Sequence, residues 1–206
     1  MLMAVGGMLA VVALTDLYAI YRGWQVHSLT PTVEGITFTA QERLDDAQRT
    51  YNFAGTIQFN AYVGCGIAFI VWFHRMRRNA AVFAPNAFRQ GPGWAIGSWF
   101  IPGVNLVLPY LIARTVWSAV SRPAADGKTV SWPLHVWWGL YVVSLLSLGL
   151  TGQIYGAADT FAGQRTGLLL LMAADVLDIV AAGMAAYFVI RLTDAMDSTA
   201  AAARPA

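Results

Sequence analysis

Four stretches of this chain, residues 1–21, 53–73, 132–150 and 167–190, are almost unbroken runs of apolar side chains. At about 1.5 Å of rise per helical residue, each is long enough to cross a hydrocarbon core of about 30 Å. Such runs leave little choice of structure, because backbone N–H and C=O groups in lipid find no water and must bond within their own segment. Composition agrees, with 57% hydrophobic and 12% charged residues and a mean hydropathy of +0.53. The expected fold class is an all-α membrane protein. It has four transmembrane helices and a broken re-entrant or interfacial helical segment, residues 94–120, between the second and third. Residues 1–197 read as one polytopic domain and 198–206, STAAAARPA, as a disordered tail. The only cysteine, Cys65, lies in an apolar run, which excludes an intrachain disulfide and gives it the role of a small buried hydrophobe.

Charge placement sets the expected threading. The second span ends in WFHRMRRNA, whose Arg75, Arg77 and Arg78 form a basic cluster of the kind retained in the cytoplasm. Across residues 74–131 the further cations Arg89, Arg114, Arg122 and Lys128 meet a single acid, Asp126. The loop between the first two spans instead sets Arg22, Arg43 and Arg49 against Glu34, Glu42, Asp45 and Asp46. This asymmetry puts both chain ends in the cytoplasm and the first loop outside. Tyr18, Tyr21, Arg22 and Trp24 mark an interfacial belt, residues 25–38 an external loop and residues 151–166 a second one. Thr39-Ala40-Gln41-Glu42 reads as a capping box opening a helix that continues into the second span. No Lys or Arg precedes Arg22, so residues 1–21 are expected to be a retained span and not a cleaved signal. The chain begins directly in the apolar run, which leaves room for residues upstream of Met1.

Residues 94–120 are apolar enough to enter lipid, yet Pro102, Gly103, Asn105 and Pro109 interrupt them. In the second half Leu108, Ile112, Val116 and Val120 recur at four-residue spacing, with Arg114, Ser118 and Arg122 opposite. Such a pattern suits an amphipathic helix with Pro109 in its first turn, and a connector that seals one end of the helices. A full crossing would make five spans, weaken the charge asymmetry and bury Arg114.

The motifs WFHRMRRNA, RQGPGWAIGSWFIPGVNLVLPY, the nearby Trp117 and DVLDIVAAGMAAYFVIRLTDAM together resemble the actinobacterial membrane family called domain of unknown function 4328. Matching positions are Trp72, Arg75, Asn79, Pro92, Gly93, Trp94, Trp99, Pro102, Asn105, Pro109 and Trp117. The resemblance implies a bacterial inner-membrane protein of about four spans. It carries no activity and transfers no catalytic residue.

Within the spans, Asp16, Asp175 and Asp178 stand out, since a carboxylate at the centre of a membrane helix costs about 2.5–3.5 kcal/mol on insertion scales. Asp175 and Asp178 share a helix face, and Asp16 with Gln58 and Asn60 is expected near them. The candidate intramembrane polar site is therefore Asp16, Asn60, Asp175 and Asp178. It has two readings, as a proton or cation site and as hydrogen-bonded glue between helices. A weaker pair is His74 and His135, near one end of the second and third spans, where facing imidazoles would suit haem or a metal. The glycines of GPGWAIG lack the preceding strand and the lysine of a phosphate loop.

Three function classes follow: an accessory, regulatory or scaffold component; a small ion- or proton-coupled transporter or channel using Asp16, Asp175 and Asp178; and a membrane redox protein using His74 and His135. The first leads, and neither an enzyme activity nor a cofactor is expected. Expected partners are the lipid bilayer and a membrane protein or second copy of the chain. A net charge of +2 gives no ground for nucleic acid.

Overall fold

The structure, a computed structural model, describes residues 1–31, 37–121 and 131–203. Four long helices dominate it: α1 (Leu2–Leu29), α2 (Phe38–Phe83), α5 (Trp132–Gly156) and α6 (Phe161–Ala202). Between α2 and α5 lie a 3-10 turn at Pro85–Ala87, the single-turn α3 (Trp94–Gly97), a second 3-10 turn at Val104–Leu106 and α4 (Leu108–Val120). No strand occurs among the described residues. All four long helices are long and apolar enough to cross a membrane.

The helices outrun the apolar runs, and several expected loops are shorter for that reason. Residues 25–38 read as loop in the sequence, but α1 continues to Leu29. Thr30 Oγ1 donates to Val26 O at 2.8 Å, and Arg165 Nη1 donates to the carbonyls of His27 and Thr30 at 2.9 and 2.8 Å. These bonds satisfy carbonyls that a helix end otherwise leaves open. The helix start expected from a capping box at Thr39 lies two residues earlier. Thr37 precedes the helix, its carbonyl accepting from the N–H groups of Ala40 and Gln41, and Thr39 is already helical. With 46 residues, α2 is about 70 Å long, so its acid-rich start extends well past the apolar stretch. The connection expected over 151–166 shrinks to 157–160, as α5 runs to Gly156 and α6 starts at Phe161.

The expected disordered tail is also corrected, since residues 198–202 belong to α6. Alanine has the highest helix propensity, and Thr199 Oγ1 donates to Val120 O at the end of α4 (2.9 Å), which ties the tail down. Residues 204–206, and the charges Glu34, Arg122, Asp126 and Lys128, lie outside the described residues.

The central segment is broken as its sequence requires. Gly103 takes φ +80°, a left-handed conformation that L side chains rarely adopt, between the turn of α3 and the 3-10 turn. Pro109 then occupies the first turn of α4, where its missing N–H costs nothing. With 13 residues α4 is about 20 Å long. Its buried face is Pro109, Ile112, Ala113, Val116, Trp117 and Val120, with Arg114 and Ser118 exposed.

By compactness the chain forms two units. The first comprises Met1–Met8, Cys65–Gly139 and Gly183–Ala206. Its core is aromatic: Trp137 stacks on Phe188 at 4.3 Å between centroids, and Trp117 stacks on the same ring at 5.8 Å. Trp99 meets Phe69, Phe73 and Trp138 edge-on, which anchors the broken segment through its ring. The second unit, Leu9–Gly64 and Leu140–Ala182, packs Val26, Leu44, Ala47 and Leu168 with Tyr51 and Tyr155. Here α5 and α6 approach closely. A Cβ on Gly167 would lie 2.9 Å from Tyr155 Cα.

Candidate functional site

The polar residues of the second unit converge on one centre. Asp16 of α1 has no exposed surface and Asp175 of α6 is 4% exposed, burial that requires partners for both carboxyls. Helix α2 supplies them from Gln58 and Tyr62, four residues apart on one face. Gln58 Nε2 donates to Asp16 Oδ1 at 2.7 Å and to Asp175 Oδ1 at 2.9 Å, using both of its amide hydrogens. Tyr62 Oη lies 2.9 Å from Asp16 Oδ1 and 2.7 Å from Asp178 Oδ2. Ser144 of α5 donates to Asp178 Oδ1. Three carboxyl groups are thus tied into one network by an amide, a phenol and an alcohol, with a member from each of the four long helices.

The network brings together Asp16, Asp175 and Asp178 but not Asn60. At about 100° of turn per residue, Asn60 points away from the face of Gln58 and Tyr62. It is exposed, and its amide donates to Thr56 O of its own helix at 2.8 Å. Thr56 likewise donates to Asn52 O, so the polar residues of this span do not all face other helices. The spacing of four from Gln58 was the available signal for Tyr62. For Ser144 it was a hydroxyl in an otherwise uncharged span.

The remaining expected groups separate. Arg75 and Arg78 are exposed, but Arg77 is buried, its guanidinium carbon 3.5 Å from the centre of the Phe88 ring and Nη2 donating to Gln90 O at 2.8 Å. It therefore holds the loop after α2 and is not part of a solvated basic surface. In the broken segment Trp94, Pro102 and Arg114 are exposed, Trp99 and Asn105 half-buried, and Pro109 and Trp117 buried. His74 Nδ1 lies 3.1 Å from Pro92 O, while His135 has the Tyr110 hydroxyl at Nδ1 (3.0 Å) and the Ser131 hydroxyl at Nε2 (3.1 Å). Each ring is engaged by its own neighbours. Among the described residues no group of three His, Cys, Asp or Glu side chains is placed to hold a metal ion.

Four long apolar helices and a buried network of carboxyl groups define a helical protein of the membrane-spanning class. More particularly, residues 37–194 match the sequence pattern of the family described as domain of unknown function (DUF4328), and the chain belongs to that family. No curated protein and no solved structure matches it.

Proposed function

We propose that this chain is an ion- or proton-handling protein of the bacterial cytoplasmic membrane, with both ends cytoplasmic and Asp16, Asp175 and Asp178 as its binding centre. One observation carries the reading: the single amide of Gln58 bridges Asp16 and Asp175, acids from opposite ends of the sequence. Intramembrane acids are costly to bury, and a centre that gathers several of them suits binding of a positive charge. The test is flux in proteoliposomes. Proton or sodium uptake should fall at least tenfold in Asp175→Asn and Asp178→Asn, and uptake equal to that of empty liposomes in the wild type would sink the reading. For the orientation, cysteine at Thr37 should react with an impermeant reagent in intact cells and cysteine at Asn86 should not.

A second reading, an accessory component seated on lipid headgroups or a membrane partner, is supported by the broken segment. Trp94, Phe100 and Val107 are exposed there, with Arg114 exposed nearby in sequence, a mixture suited to a headgroup boundary. Retained membrane binding and partner capture without any flux would favour it.

A further inference from the structure

The hydrogen bonds around Tyr62 do not balance if every acid is ionised. A phenol has one proton to donate. Yet Tyr62 Oη stands at hydrogen-bond distance from two carboxyl oxygens, Asp16 Oδ1 at 2.9 Å and Asp178 Oδ2 at 2.7 Å. It can donate to only one of them. At the other contact two oxygens would meet lone pair to lone pair unless that carboxyl carries a proton and donates it to the phenolic oxygen. The amide of Gln58 does not remove the deficit, because its hydrogens are committed to Asp16 and Asp175. Nor does Ser144, whose hydroxyl serves the other oxygen of Asp178.

A second observation points the same way. Asp16 Oδ2 is buried and has no hydrogen-bond partner among the described residues. A carboxylate oxygen sharing a full negative charge is very unfavourable in that position, whereas the carbonyl oxygen of a neutral acid is a far smaller loss.

We propose that Asp16, Tyr62 and Asp178 hold one proton in common and pass it between the two acids through the phenolic oxygen. The proposal rests on the ion-handling reading above for its use, which it narrows to a proton, and on hydrogen-bond counting for its chemistry. In one arrangement Asp16 is the neutral acid: Oδ1–H donates to Tyr62 Oη, and the Tyr62 O–H donates to Asp178 Oδ2. In the other, higher in energy because Asp16 is then ionised with its Oδ2 unpartnered, Asp178 is neutral: Oδ2–H donates to Tyr62 Oη, and the Tyr62 O–H donates to Asp16 Oδ1. They interconvert when the Asp16 proton moves to the phenolic oxygen as the phenolic proton moves to Asp178. The O–H bonds at Asp16 and Tyr62 break, new ones form at Tyr62 and Asp178, and Tyr62 is neutral before and after. One proton has moved from α1 to α6 and no co-reactant is needed. Gln58 stays bonded to Asp16 Oδ1 in both arrangements, and holds that oxygen in reach of the phenol.

The experiment is infrared spectroscopy of the full chain in lipid nanodiscs at neutral pH, in H2O and D2O. The wild type should show the C=O stretch of a protonated carboxylic acid, shifted in D2O, assigned by its loss or change in Asp16→Asn and Asp178→Asn. Tyr62→Phe, which keeps the ring and its packing, should move that band, and Tyr110→Phe should leave it unchanged. A wild type with no such band, or a band indifferent to Tyr62→Phe, overturns the proposal. The two readings fail separately. Flux without the band leaves the ion-handling reading and removes the shared proton, whereas the band and its Tyr62 dependence without flux uphold the shared proton and remove transport.

Discussion

Gln58 donates to Asp175 across 2.9 Å from helices whose contributing residues lie far apart in sequence, and the same amide nitrogen reaches Asp16 at 2.7 Å. Gln58→Leu keeps much of the volume but leaves two buried carboxyl oxygens short of a donor. Unsatisfied buried groups cost about 1–3 kcal/mol in general, and interhelical bonds in membranes reach about 1.7 kcal/mol. A loss of about 1–3 kcal/mol is expected for Gln58→Leu in a detergent or denaturant titration. Asn60→Ala, two residues away, should change stability by no more than about 0.5 kcal/mol, because its amide bonds only to its own helix.

The guanidinium of Arg165 closes the end of α1 through the carbonyls of His27 and Thr30. Bonds from a charged donor contribute about 1.5–3 kcal/mol. Arg165→Ala should therefore fray the last turn of α1, read as faster amide hydrogen exchange over residues 26–30 with little change at Asp16. Protection as strong as in the wild type would show that the cap adds nothing.

Gly167 marks a close approach of α6 to α5. A Cβ there meets Tyr155 Cα at 2.9 Å and Tyr155 Cβ at 3.1 Å, backbone and stem atoms that cannot swing aside. Gly167→Ala ought to cost about 1–3 kcal/mol through overpacking, more than alanine's better helix propensity returns. Gly183→Ala has open space around its Cβ and is expected to be neutral or slightly stabilising, which makes it the matched control in the same unfolding measurement.

The tail of α6 is tied to α4 by the hydroxyl of Thr199 on Val120 O. Thr199→Val keeps the shape and removes that bond, with an expected loss of about 0.5–1.5 kcal/mol. Limited proteolysis after residue 195 should speed up in the variant. Equal cleavage rates would mean that alanine propensity alone holds the helix.

What the sequence made legible follows from range. Apolar run length found the four long helices, and the proline and glycine positions found the break at Gly103 and the start of α4 at Pro109, because these are local backbone effects. The grouping of Asp16, Asp175 and Asp178 followed from the cost of burying charge. Side-chain direction was harder to read. Polarity alone singles out Asn60, but helical phase turns it away from the acids and brings Tyr62 to them. Arg77 looked like its neighbours Arg75 and Arg78 until the Phe88 ring and the Gln90 carbonyl were in place. Helix ends were missed for a similar reason, since Arg165 and Thr199 act on carbonyls more than seventy residues away in sequence.

Gln58 and Tyr62 are one helical turn apart on α2, and Asp175 and Asp178 are nearly one turn apart on α6, so the amide and the phenol form two rungs of a ladder. A ladder with matched rungs resists sliding. Displacing either helix along its axis by a turn would detach both rungs together. The two rungs together therefore favour one vertical register of α2 against α6 over its neighbours.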